Sequence, residues 1–389
     1  MTLSTLESGA DAAAPARAEV AAARTTRSPA PVAAPVPAPP AVAEPPAPVD
    51  PATAPPAPLE LVTEPVVAPP ARPLSVAPAP PRGSTFADRH PAQAAATQDP
   101  ADPATTRWAL LIGINDHMGR VSDNIGSRQD AEDLRAHLLA SGWRDDHILL
   151  LTDRAATRTA IVEGLRWLAD KTDPSSTAVF HYSGHSKKWY GQDHDGDGEI
   201  TDEGLWPTDD RFIPDSELVR LLDPLDASTA WISFATCNAA GFADHGLARP
   251  GRVLTFSSGE HQKSYEHPSW DNSVWGFLMI DQAMRAGAGD ADGDGRVSVE
   301  EAWTWARPQA SHTTSRQRHG PQDAVIVDDL DGELHLAVPG APAPAPSPSP
   351  APAADPAPDQ PPPPEGDATP APDERDRERH GGYLCVLCG

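Results

Sequence analysis

The sequence predicts an α/β domain built on a mostly parallel central sheet with helices on both faces, set between disordered Pro/Ala-rich tails. Three observations lead there. Short apolar runs without in-out alternation read as strands buried on both faces. Amphipathic stretches of helical length alternate with them, which implies right-handed crossovers between parallel strands. Proline is concentrated outside this region: 24 of the 47 prolines lie in residues 1–105 and 14 in residues 340–389, leaving nine between.

The strand candidates are residues 107–114 (RWALLIGI), 147–152 (HILLLT), 176–182 (STAVFHY), 228–235 (STAWISFA) and 253–258 (VLTFSS). The helical patterns begin at Gln129, Thr157, Asp215 and Asn272. Thr157 and Asp215 are N-cap candidates, and Gly142 and Gly287 are stop signals. The resulting organisation is an N-terminal tail (1–105), one folded domain (106–338) and a C-terminal tail (339–389). The tails are runs such as PVAAPVPAPP and APAPAPSPSP, which bury too little apolar surface to offset chain entropy.

A formal net charge of -26 argues against nucleic acid as a partner, since phosphate contacts need clustered Lys and Arg, and favours cations instead. No apolar run approaches the roughly 20 residues of a membrane span. The first thirty residues mix acidic and basic side chains and hold no apolar core, so no secretory signal is expected and the cytoplasm is the expected location. Three cysteines, two of them in the last five residues, exclude a disulfide framework and leave Cys237 as the lone thiol of the domain.

In parallel sheets, ligands sit beyond the carboxyl ends of the strands. That rule selects the loops after Tyr182 and after Ala235, which read Ser183-Gly184-His185-Ser186 and Thr236-Cys237-Asn238. A cysteine nucleophile acts as its thiolate, which a neighbouring imidazolium stabilises, and the same imidazole can protonate a leaving amine. The bland alternative is a buried cysteine that only fills space.

The segments ALLIGIN (109–115), SRQDAEDL (127–134), FHYSGHS (180–186) and ISFATCNAAGF (232–242) resemble, in order and spacing, four blocks of the caspase and metacaspase superfamily, the C14 peptidases. DEGLWPTDD (202–210) and IPDSEL (213–218) resemble its acidic loop and following helix, so the likeness spans nearly all of residues 106–338. The resemblance implies a caspase-like fold and a calcium-dependent cysteine endopeptidase. It makes His185 the general acid/base, Cys237 the nucleophile, and the backbone N–H groups of Cys237 and Ser186 the oxyanion donors. Ser186 stands where the family has glycine. Asp130 and Ser183 match residues of the specificity pocket for Arg or Lys, but Ala235 stands where a second aspartate is usual. The implied partners are protein or peptide substrates, with self-cleavage in the tails. The departures at Ser186 and Ala235 keep a second reading open, a catalytically silent caspase fold acting as a calcium-gated binding module.

Residues 290–301 match the twelve-residue calcium loop: Asp290, Asp292 and Asp294 at positions 1, 3 and 5, Gly295 at the turn, the Arg296 carbonyl at 7, Ser298 at 9 and Glu301 as bidentate ligand at 12. A stretch beginning Asp193, Asp195, Asp197 starts the same way but has Gly204 at its twelfth position. The resemblance implies a further calcium site at Asp202, Asp215 and Asp244, with Ser216 replacing a fourth aspartate. Cys385 and Cys388 are spaced as half a zinc site with no other ligands nearby. They read as a thiol pair open to oxidation, or a redox or docking tag.

Overall fold

The computed structural model describes residues 83–119, 121–191, 201–243 and 246–341, and the backbone of residues 385–386. A six-stranded sheet runs in the order β11-β8-β7-β3-β1-β2. Its members are β1 (Arg107–Gly113), β2 (Ile148–Thr152), β3 (Thr177–Ser183), β7 (Thr229–Ala235), β8 (Arg252–Phe256) and β11 (Val325–Asp328). The first five are parallel, and β11 closes the edge antiparallel. The expected five strands are therefore the parallel core.

Alternate residues of β1 explain the unbroken apolar run. Leu110 and Ile112 belong to the core on one face, with Leu165 and Leu168 of α4 (Arg158–Lys171) and Leu218 of α5 (Asp215–Leu222). Ala109 and Leu111 belong to the other, with Leu134 and Leu138 of α3 (Ser127–Ala140) and Ala302 and Ala306 of α7 (Val299–Thr314). With both faces covered, neither parity of the strand can be polar.

Thr157 caps α4, accepting from the Ala160 amide at 3.3 Å. Gly142 and Gly287 take left-handed φ values of 92° and 76° just past the ends of α3 and the helical run from Val274. Asp215, expected as an N-cap, is instead the first residue of α5, after Pro214. Its carboxylate is spent on the amides of Ser216 (2.8 Å) and Glu203 (3.3 Å). The helix expected from Asn272 starts two residues later: Asn272–Ser273 is a strand, β10, followed by α6 (Val274–Gly276) and a π-helical run, Phe277–Arg285.

The segment taken as an acidic loop is partly a strand. β4 (Ser186–Tyr190), β5 (Thr201–Leu205) and β6 (Ile213–Pro214) form a small antiparallel sheet, and Asp202–Leu205 are buried in it. A third sheet has the order β10-β9-β12, with β9 at Tyr265–His267 and β12 at Cys385–Val386.

The folded unit begins before residue 106. Helices α1 (Phe86–Arg89) and α2 (Pro91–Ala95) pack on it, Phe86 against the apolar core, while the carbonyls of Gln93 and Ala94 accept from Trp167 Nε1 (3.0 Å) and Lys171 Nζ (3.1 Å). Composition misses this because the segment is as rich in alanine as the tail preceding it. Among the described residues, no helix is long and apolar enough to cross a membrane.

Candidate active site

β3 and β7 are hydrogen-bonded neighbours with Ser183 opposite Ala235, so His185 and Cys237 each lie two residues beyond the same point of the ladder. Two bonds hold the exits side by side. The Gly184 amide donates to the Ala235 carbonyl at 3.2 Å, and the Ser186 hydroxyl donates to the Cys237 carbonyl at 2.7 Å. Both His185 and Cys237 are fully buried.

His185 Nε2 is 2.7 Å from the Ser122 carbonyl oxygen. A carbonyl only accepts, so Nε2 carries the proton and, in the neutral ring, Nδ1 is the basic nitrogen. The ring of His117 lies 4.9 Å away, centroid to centroid. Burial, and then the charge His185 can carry, lower the pKa of His117 to about 4, which keeps it neutral beside the site.

Past Cys237 the backbone turns through Asn238 at φ 53°, a left-handed conformation asparagine tolerates better than most residues. The loop after β8 holds this turn. Ser257 Oγ accepts from Thr236 N (3.0 Å), Ser258 O from Ala240 N (3.0 Å) and Gln262 O from Asn238 N (2.9 Å). The Ser264 amide lies 3.3 Å from the cysteine sulfur.

Cys237 is not the lone thiol expected from its position, because it is disulfide-bonded. The chain's other cysteines are Cys385 and Cys388. Counting cysteines within the domain alone misses that bond.

The three residues matched to a specificity pocket come together. Ser183 Oγ donates to Asp130 Oδ2 at 2.7 Å, and Ala235 adjoins Ser183 across the ladder. Asp130 also accepts from the Ser273 amide (3.0 Å) and Asn272 Nδ2 (3.3 Å). Gly276 faces it so closely that a Cβ there would sit 2.0 Å from Oδ1. Burial raises the Asp130 pKa to about 7 against the lowering effect of these donors. Glu266 of β9, likewise buried and raised to about 7, accepts from the amides of Ile125 (2.9 Å) and Gly126 (2.7 Å) and anchors β9 to the entrance of α3.

In the loop 290–301 the carboxylate oxygens of Asp290, Asp292 and Asp294 lie within 4.8 Å of one another. Asp290 accepts from the amides of Gly293 (2.8 Å) and Gly295 (3.1 Å), and Gly295 makes its turn at φ 81°. Ser298 and Glu301 form a capping box that starts α7, and Glu301 Oε1 also accepts from Ala291 N (3.0 Å). The donor set fits a hard cation. Of the second set, Asp202 and Asp215 are buried on neighbouring elements, while Asp244 and residues 193–198 lie outside the described residues.

Residues 107–245 match the family model described as metacaspase, peptidase C14 domain. Over those residues the chain resembles a metacaspase-type, caspase-like domain. The likeness in sequence is thus narrower than residues 106–338, and the calcium loop and β9 fall outside it. Part of the chain is also similar to three relatives: Metacaspase-1 of Schizosaccharomyces pombe (30% identical over 153 residues, covering 36% of this chain and 35% of the relative), of Lodderomyces elongisporus (33% over 155, covering 35% and 33%) and of Pyricularia oryzae (32% over 153, covering 36% and 37%). The chain spans about a third of the length of the curated relatives it matches.

Proposed function

We propose that this protein is a calcium-dependent cysteine endopeptidase that cuts after Arg or Lys, with His185 and Cys237 as its dyad. Its main support is the placement of His185 and Cys237 at the in-register ends of neighbouring strands, with Nε2 tied to the Ser122 carbonyl. In the reduced protein, Nδ1 takes the thiol proton and the thiolate attacks the substrate carbonyl. The amides of Cys237 and Ser186 receive the negative charge on the oxygen, and the imidazolium returns its proton to the leaving amine. Water activated by the same imidazole then releases the acyl group.

The preference for a basic side chain rests on Asp130 beside Ser183. With Ala235 in place of a second carboxylate, that preference is modest. Calcium at the 290–301 loop supplies positive charge that relieves repulsion among Asp290, Asp292 and Asp294 and braces the start of α7. Substrates are proteins or peptides, including the chain's own tails, where arginines stand among the prolines.

Full-length protein, reduced and calcium-loaded, is incubated with fluorogenic peptides ending in Arg, Lys, Asp or Leu, beside Cys237→Ala. Release from the Arg and Lys peptides that disappears in Cys237→Ala and falls with chelator is expected. Equal rates in the two proteins overturn the peptidase reading. Calcium-dependent binding of the same peptides without cleavage supports the silent binding module instead.

A further inference from the structure

The proposed chemistry makes no use of the cysteine pair at the end of the chain, yet the strand that begins with Cys385 pairs with β9, just after the segment whose Ser264 amide touches the Cys237 sulfur. β12 lies antiparallel on β9, with Cys385 opposite Glu266 and Val386 opposite Tyr265. β9 is paired on its other side with β10, so β12 occupies its remaining edge. Because the two strands are antiparallel, the C-terminal end of β12 faces the end of β9 that begins after Ser264. The Ser264 amide is the group 3.3 Å from the Cys237 sulfur. A two-residue strand at the end of a long proline-rich segment is too short to hold such a position by backbone bonds alone. Independently of the strand pairing, Cys237 is in a disulfide, and the chain contains only two other cysteines.

We propose that the edge of β9 facing away from β10 is a docking edge for an extended peptide, and that its resident occupant is the chain's own C-terminal strand. A disulfide between Cys237 and the Cys385/Cys388 pair locks that strand in place and keeps the nucleophile capped until it is reduced. The regulatory consequence rests on the peptidase reading above, whereas the lock itself does not.

The chemistry balances with a small disulfide such as oxidised glutathione as the oxidant. The Cys237 thiolate attacks one glutathione sulfur, forming a mixed disulfide and releasing one glutathione thiolate. A tail thiolate then attacks the Cys237 sulfur, the bond to glutathione breaks, and a second thiolate leaves. Two protein thiols are oxidised and one disulfide is reduced to two thiols. A dithiol reductant reverses the sequence and returns Cys237 as thiolate. The β9–β12 pairing makes the second attack intramolecular, so it outruns capture of another glutathione.

The test uses the full-length chain and Cys385→Ser/Cys388→Ser, each reduced, exchanged into oxidised glutathione, and measured by intact mass and by digestion without reductant. The unaltered chain is expected to carry one internal disulfide, seen as a peptide joining Cys237 to the C terminus, with glutathione at most on the one tail cysteine left over and none on Cys237. The double variant should carry glutathione on Cys237 instead. A glutathione adduct on Cys237 in both proteins, or a bond confined to Cys385 and Cys388, overturns the proposal. In parallel, hydrolysis of an Arg peptide by the oxidised, unaltered chain should rise at least about tenfold on adding dithiol, since only the free thiolate reacts. A linked peptide from a protein that cleaves nothing when reduced overturns the peptidase reading and leaves the lock standing. Full hydrolysis with no linked peptide does the reverse.

Discussion

The hydroxyl of Ser186 donates to the carbonyl of Cys237 at 2.7 Å, joining the loop after β3 to the loop after β7 one residue beyond His185. A glycine, usual at this position in the family it resembles, has no side chain to make that bond. Here the serine adds a buried fastening between the two halves of the site, close to the amides proposed as oxyanion donors.

Ser186→Ala keeps the backbone N–H and removes the fastening. A buried hydrogen bond of this kind contributes about 1 kcal/mol, so the melting temperature in reducing buffer should fall by a few degrees. Peptide hydrolysis should fall about three- to tenfold, mainly in kcat, since the donors are displaced rather than deleted. Unchanged kcat with lowered stability would assign Ser186 to the fold alone.

His185→Ala and Cys237→Ala should each remove activity by several orders of magnitude, and the double variant should be no worse than either, because the two act as one unit. Melts in reducing buffer should stay within a few degrees of the unaltered protein. Additive losses in the double variant would show that the residues work separately.

The parallel core was legible in the sequence because strands such as Trp108–Ile112 are buried on both faces and carry no polar positions to blur them. The strand ends carried His185 and Cys237, the proposed dyad, with them. Less legible were features resting on backbone rather than side-chain type. The partner of His185 is the carbonyl of Ser122, which any residue supplies. β5 was hidden because Asp202 and Glu203, charged in sequence, are buried in the small sheet. His117 carried no motif and enters the site only through folding. The disulfide of Cys237 was missed because its partner lies far along the chain, in a segment whose composition reads as tail.

Asp130 gives the domain a specific response to pH. Burial raises its pKa to about 7, above the unfolded value near 4. A carboxyl raised in the folded state stabilises fully below the unfolded value, and that contribution is lost as pH rises toward 7. Buried histidines with pKa values lowered to about 4, such as His117 and His137, act oppositely, since their contribution is lost as pH falls below 6.5. The difference between the unaltered protein and Asp130→Asn isolates the carboxyl. Urea unfolding should show Asp130→Asn gaining relative stability from pH 5 to pH 8. A difference that does not vary with pH would show that Asp130 titrates normally.

Glu301 allows the calcium proposal to be tested without damaging the fold. In the structure its carboxylate closes a capping box, Oε2 accepting from the Ser298 amide at 2.9 Å and Oε1 from Ala291 N at 3.0 Å. Glutamine retains an acceptor for that cap, so Glu301→Gln should melt close to the unaltered protein in chelator. It lacks the bidentate charge that position 12 of the loop gives calcium. A ligand bound only by the folded state stabilises it by about 2.7 kcal/mol at a hundredfold excess over Kd. For a domain of this size that corresponds to a rise of about 5 °C. Calcium should therefore raise the melting temperature of the unaltered protein by about that much and leave Glu301→Gln almost unmoved. Asp292→Asn, whose carboxylate accepts only from the Asp294 amide within the loop, should behave like Glu301→Gln. All melts belong in reducing buffer, so that the bond of Cys237 to the tail does not add its own stabilisation. If calcium shifts all three proteins equally, the ion binds elsewhere, and the acidic surroundings of Asp202 and Asp215 become the next place to substitute.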